Sequence, residues 1–275
     1  MKNTYQLQIP KELEQYRSIL EESVKPYVKV SGTQAETTLF ESKFGGYPYL
    51  PIDQEHPKDS NGQLMMLLAQ LNLEEIPNIE HMPQHGMLQF FISAEEDLFG
   101  ADFDHPTVQK DFRIIYHSTI HSTIIEDLNK VITDFSYLNT LDLENFIIPE
   151  AAKLKFELAY QPVTPRDYRF EMIFSDNIDW EEIVDEENNT ELGELYDDLC
   201  KDQGHKIGGY PFFTQTDPRE WEEKYQQHDI LLLQIDTDDS LNIMWGDSGV
   251  ANFFIRKEDL LNLDFSNVIY NWDCY

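Results

Sequence analysis

Three motifs occur twice in this chain, in the same order and at an almost fixed separation, and they limit its fold more than any other property. Lys43-Phe44-Gly45-Gly46-Tyr47-Pro48-Tyr49 returns 163 residues later as Lys206-Ile207-Gly208-Gly209-Tyr210-Pro211-Phe212. Leu67-Leu68-Ala69-Gln70-Leu71-Asn72 returns 164 residues on as Leu231-Leu232-Leu233-Gln234-Ile235-Asp236, and Gly86-Met87-Leu88-Gln89-Phe90-Phe91-Ile92 returns at 163 as Gly249-Val250-Ala251-Asn252-Phe253-Phe254-Ile255. Self-similarity at a fixed period marks repeated supersecondary units that bury their apolar faces against one another. The expectation is two tandem-duplicated halves, with pseudo-repeats about 37–94 and 200–257, joined in a single globular domain over 1–275. The length permits this, because single cores grow to roughly 250–300 residues.

Within each half the motifs read as a Gly-Gly turn, a buried strand carrying one Gln, and a second strand ending in Phe-Phe-Ile. Gly-Gly before Tyr-Pro predicts a backbone with φ > 0, followed by an extended exit fixed by the proline. A glutamine inside an apolar strand must find partners, since an unpaired buried amide costs about 1–3 kcal/mol. Gln70 and Gln234 are therefore braces for neighbouring loops, or matching elements of a groove between the halves. Short apolar bursts separated by Gly, Pro, Asn and Asp from Thr37 to about Ile92 favour strands. The fold class that follows is α+β, β-rich, with mainly antiparallel sheets and peripheral helices.

Helical spacing of Leu13, Tyr16, Leu20 and Val24 predicts an N-terminal helix about 11–25. Ile125, Leu128, Ile132 and Phe135 fall on one face of a second helical window. Between Asp179 and Asp198 half of the positions are acidic, while the apolar residues there, Trp180, Ile183, Val184, Leu192, Leu195 and Leu199, suit an amphipathic helix; an acidic helical connection about 179–200 is expected. Asp217 followed by Pro218 is a helix-start signal, and it would place Trp221 and Tyr225 on one face.

Ser42-Lys43-Phe44-Gly45-Gly46-Tyr47-Pro48 with Leu50-Pro51, Leu67 to Asn72 running on to Ile76-Pro77, and Gly86-Met87-Leu88-Gln89-Phe90-Phe91 together closely resemble the YwqG-like family, a bacterial group of unknown function. Leu231 to Asp236 followed by Met244-Trp245-Gly246-Asp247-Ser248-Gly249 is similar to that family's second signature. The resemblance runs from about Thr37 to Ile255. It departs at His56-Pro57, where members often carry an aromatic before the proline. It implies a duplicated, β-rich α+β unit, and no activity, cofactor or catalytic residue.

The charge narrows the partners. Lys+Arg 20 against Asp+Glu 52 gives a net charge of −32, a field that repels phosphate backbones and anionic headgroups, so neither nucleic acid nor membrane is expected as a partner. The chain opens without an apolar signal region, its longest apolar run is too short to span a bilayer, and two cysteines read as reduced thiols; a cytoplasmic address is expected. No nucleotide-binding or hydrolase motif occurs. Asp236-x-Asp238-x-Ser240 with Asp247 opens like a calcium loop but has Leu241 where glycine is needed, and His117 and His121 sit on strand-like sequence where one metal cannot reach both. Neither metal nor cofactor is expected.

The most site-like loop is Trp245-Gly246-Asp247-Ser248-Gly249, which combines an aromatic face, a carboxylate and a hydroxyl on glycine-permitted backbone. The ligand-binding candidates are thus Gln70, Gln234, Trp245, Asp247 and Ser248. Two functions follow as expectations. The first is an acidic, non-enzymatic interaction protein that docks a basic protein partner. The second is a small-molecule binder or enzyme with its pocket at the junction of the halves.

Overall fold

The computed structural model describes residues 6–51, 54–94, 97–120, 147–174, 177–200 and 202–275. At the N-terminus, Lys11–Tyr16 wind as a 3-10 helix that continues into helix α1 (Arg17–Glu22), burying Leu13 and Leu20 as the spacing predicts. Pro26 stops it. Strand β1 (Lys25–Gln34) follows, which the motif comparison did not anticipate; Val28 and Val30 are buried while Lys29 and Ser31 are exposed, the period-two pattern of a half-buried strand. Next come β2 (Lys43–Phe44), β3 (Met66–Asn72), β4 (Met87–Ile92) and β5 (Phe112–His117), then β6 (Ala152–Gln161). The helical window at Ile125 to Phe135, and His121, lie outside the described residues.

After β6 the chain forms helix α2 (Phe170–Phe174), a hairpin of β7 (Ile183–Asp185) and β8 (Thr190–Glu191), and helix α3 (Leu192–Cys200). The connection expected to be helical over 179–200 is helical only in its second part. Asp185 Oδ1 accepts from the N–H groups of Glu187 and Asn188, and Asn189 takes φ 53°, so a side-chain-capped turn reverses the chain where a helix would stack like charges. Strands β9 (His205–Gly208), β10 (Ile230–Asp236) and β11 (Val250–Ile255), helix α4 (Lys257–Leu261) and strand β12 (Ile269–Asp273) complete the order. The helix expected from Asp217 is a single turn: Asp217 Oδ1 accepts from the Arg219 N–H as a cap would, but the Arg219 side chain then folds inward onto Asp217 and Asp167.

Ten of these strands form one antiparallel sheet in the order β12-β11-β10-β9-β1-β6-β2-β3-β4-β5. The order reads alike from either edge. β1 and β6 pair over ten positions, from Lys25 opposite Gln161 to Gln34 opposite Ala152. The connectivity crosses at this centre: β1, which precedes β2 in the chain, pairs with β9, whereas β6, which precedes β9, pairs with β2. Each flank also carries the same irregularity, a shift between Leu67 and Ala69 against β4 and between Leu231 and Leu233 against β11.

The sheet curls until its flanks face each other. Phe90 meets Phe253 with ring centroids 4.9 Å apart, and Phe112 meets Tyr270 at 5.2 Å, so the outer strands come close to closing the sheet. One apolar core containing Val28, Phe44, Leu68, Leu88, Ile207, Leu232, Ile235 and Trp245 spans both flanks. A second core gathers the helices through Leu13, Leu20, Phe174, Leu192 and Tyr196.

Candidate functional site

The two glutamines occupy matched positions and make matched bonds. Gln70 Oε1 accepts from the Tyr49 N–H at 2.7 Å and its amide nitrogen donates to the carbonyls of Leu39 and Glu41, both at 3.0 Å. Gln234 Oε1 accepts from the Phe212 N–H at 2.8 Å, and its nitrogen donates to the carbonyls of Asp202 and Gly204 at 3.0 and 2.7 Å. A second amide repeats the pattern, since Gln89 and Asn252 each donate at 2.8 Å to the carbonyls of the same two residues, Tyr49 and Phe212. Both glutamines are fully buried with their polar atoms committed to loop backbone.

The repeated lysines carry a signal that motif matching passed over. Lys43 Nζ donates to the carbonyls of Thr38 and Tyr47, and Lys206 Nζ donates to the Tyr210 carbonyl and to Gln161 Oε1. Burial pushes each amine down to about 8. Both tie a Gly-Gly turn to the strand that enters it. Those turns require φ > 0, at +61° and +73° for Gly45 and Gly46 and at +74° and +71° for Gly208 and Gly209.

Trp245 is buried in the core shared by the flanks, against Phe99 at 6.1 Å and Trp272 at 6.0 Å. Asp247 and Ser248 are exposed on the turn that follows. The Asp247 carbonyl accepts from the Tyr275 N–H at 3.0 Å, and Gly246 packs on Cys274. The Trp245 loop thus supports the C-terminal segment from behind. Asp236 and Asp238, read as the opening of a calcium loop, bond instead to local donors: Asp236 to the N–H groups of Gly204 and Thr237, Asp238 to Ser240 and His205. Cys200 and Cys274 are free thiols, and burial holds the Cys200 thiol well above its ordinary range.

The support given by the Trp245 loop leads to a groove of about 560 Å³ that the candidate residues themselves do not line. Its floor is the end of β12. One wall is the loop 97–106 that follows β4, held by the Trp272 indole N–H donating to the Leu98 carbonyl at 2.8 Å and by the Tyr270 N–H donating to the Pro106 carbonyl at 2.9 Å. The other wall is the loop 214–225, held by Asp273, whose carboxylate accepts from the N–H groups of Thr214 and Gln215 and from the Thr214 hydroxyl. Burial raises the Asp273 carboxyl despite those bonds. The two walls come from opposite flanks of the sheet.

Apolar side chains stand unusually open here: Trp221 is 70% exposed, Phe103 52% and Leu98 46%. Asp97, Glu222 and Asp273 line the same groove, and among the described residues no lysine or arginine does. Trp221 and Tyr225 do share this surface, through a turn and a short 3-10 helix rather than the longer helix expected. Nothing in the sequence singled out Phe103 or Trp272, since an aromatic between carboxylates reads equally as a surface loop.

Fold and groove together define a β-rich protein with an open aromatic and acidic cleft and, among the described residues, no group of three or more side chains able to hold a metal ion. The chain belongs to the DUF1963 family, a domain of unknown function whose pattern matches residues 42–274. No curated protein matches the sequence. The matched span covers β2 through β12, so β1 lies outside it although β1 occupies the middle of the sheet. No helix among the described residues is long and apolar enough to cross a membrane.

Proposed function

We propose that this protein is a non-enzymatic binding protein that docks a basic protein partner, and that the partner seats in the groove between loops 97–106 and 214–225. The observation that carries this reading is the groove's composition: exposed Trp221 and Phe103 beside Asp97 and Glu222, with no basic side chain among the described residues that line it, on a chain of net charge −32. Aromatic faces and carboxylates attract arginine and lysine by two additive routes, cation–π contact worth about 0.5–2 kcal/mol and charge attraction that speeds encounter. The exposed Lys224 pairs with Glu222 at 3.3 Å, a contact weak enough for a partner's cation to replace.

Finer readings accompany it. The matched bonds of Gln70 and Gln234 support descent of the two flanks from one duplicated unit. The motif order supports placement beside the YwqG-like proteins, with a bacterial, cytoplasmic setting.

The test uses a fluorescent peptide rich in arginine and phenylalanine and its counterpart with glutamate for arginine. Anisotropy should detect the cationic peptide only, with Trp221→Ala or the pair Asp97→Asn/Glu222→Gln weakening it about tenfold. The pair Glu186→Gln/Glu187→Gln on the β7–β8 hairpin removes the same charge elsewhere and should change affinity little. Equal loss from both pairs, or binding of the anionic peptide, overturns the assignment.

A further inference from the structure

A second cavity lies at the junction of the flanks, away from the aromatic groove. It has a volume of about 220 Å³ and is lined by the turn Ile79–Met82 from one flank, by Gly208, Gly209 and Asp229–Leu231 from the other, and by Lys25, Pro26 and Lys257. Ile79 rests directly on Gly208, where a Cβ would meet its Cδ1 at 2.8 Å, so the glycine lets the two flanks approach and leaves the cavity beside the contact.

Two charges in this cavity make no ion pair among the described residues. Lys25 is half-buried with Nζ 4.7 Å above the Tyr210 ring and makes no hydrogen bond or ion pair among the described residues. The buried carboxylate nearby, Asp167, is already held by Arg169 at 2.6 Å and Arg219 at 3.2 Å. Burial and those arginines push the Lys25 amine down to about 8, against the opposing attraction of Asp167 and Asp229. Asp229 lines the same cavity, also without an ion pair among the described residues, because its neighbour Arg169 bonds to the Asp229 backbone carbonyl instead. Glu80 and His81 satisfy one another at 3.3 Å, and Lys257 adds a second amine. Ile79, Met82, Ile230 and Leu231 supply the apolar remainder.

An amine and a carboxylate that form no ion pair, in one small cavity with an apolar wall, suit a ligand that carries both charges and a short apolar body. We propose that this cavity binds a free α-amino acid with an aliphatic side chain, its carboxylate on Lys25 and Lys257 and its ammonium group on Asp229. At about 30 Å³ per water the cavity offers space equal to roughly seven waters, which a branched aliphatic amino acid fills. Such sites join a few polar groups that fix orientation to an apolar lining.

The experiment is calorimetric titration of the full-length protein with leucine, with 4-methylpentanoate, which lacks the ammonium group, and with 3-methylbutylamine, which lacks the carboxylate. Leucine should bind, each analogue should bind at least about tenfold more weakly, and Lys25→Met and Asp229→Asn should each cost leucine a similar factor. Circular dichroism checks that the variants fold, and a lysine-labelling footprint should show Lys25 protected by leucine, a readout that does not depend on any variant. No heat with leucine up to about 10 mM, with no protection of Lys25, overturns the proposal. Binding of 4-methylpentanoate as tightly as leucine, or unchanged leucine binding by Asp229→Asn, overturns the amino-acid assignment.

Discussion

Gln70 and Gln234 show how one side chain can replace a strand's missing neighbours. Each occupies a buried strand position, yet each closes a loop by accepting one backbone N–H and donating to two carbonyls. Gln70→Leu should cost about 2–4 kcal/mol, because it strands those backbone groups in the core, and Gln234→Leu should cost nearly the same; urea denaturation of the two variants checks both the size and the equality. The buried lysines give a pH signature. Lys43 and Lys206 sit near 8 in the folded chain and at the ordinary lysine value of about 10.4 when unfolded. Between those values the unfolded chain binds more protons, so this contribution to stability rises with pH across that window. The parent's stability relative to Lys206→Met should therefore grow by on the order of 1 kcal/mol between pH 7 and 9, measured by denaturation at each pH. A constant difference would show that Lys206 stays fully charged in the folded chain throughout that range.

The central pair β1 and β6 does more than lengthen the sheet. Each strand hydrogen-bonds to the flank that its own chain segment does not enter next, so neither flank is closed without a strand from the other. Removing residues up to Gln34 would expose the edges of both β9 and β6, a row of unpaired backbone groups that invites aggregation. Such a truncated protein should lose its cooperative thermal transition and most of its soluble yield, which calorimetry and a solubility assay read directly. Gly209 tests the turn: at φ +71°, with Tyr27 Cβ 2.8 Å from any added Cβ, Gly209→Ala should destabilise by more than about 1 kcal/mol. One of the bonds that hold loop 97–106 comes from the Trp272 indole. Trp272→Phe keeps the ring but removes the bond to Leu98, so hydrogen exchange of this loop should quicken and binding in the groove should weaken, with the sheet amides unaffected.

For the molecule taken together, charge acts on folding and binding in opposite directions. A net charge of −32 destabilises the compact state by self-repulsion, and salt screens that repulsion. Raising sodium chloride from about 0.02 M to about 0.3 M should increase the melting temperature, while the affinity for a cationic peptide falls over the same range. Parallel loss of both would mean that ion pairs such as Arg219 with Asp217 and Asp167, and not overall repulsion, dominate stability. The curled sheet also explains where the aromatic groove and the smaller cavity lie: both are bounded by segments of the two flanks, at places where the flanks approach without fusing.

Much of this architecture was legible before any coordinates. The repeated motifs located four strands of the flanking sheet, β3, β4, β10 and β11, through their buried runs, the Gly-Gly turns with φ > 0, and the glutamines as groups needing backbone partners, because all three are consequences of how a short segment satisfies its own burial and hydrogen bonds. The strand β1, the hairpin at Ile183 to Glu191 and the groove walls were not legible. Val28 and Val30 state that β1 is half-buried but not that it crosses to β9, and Leu98, Phe103 and Trp221 come together only because β12 fastens two loops more than a hundred residues apart in the chain. Local chemistry dictates what a segment becomes; which distant segments then share a surface depends on how the whole sheet curls to bury its core, and no short stretch of residues encodes that outcome.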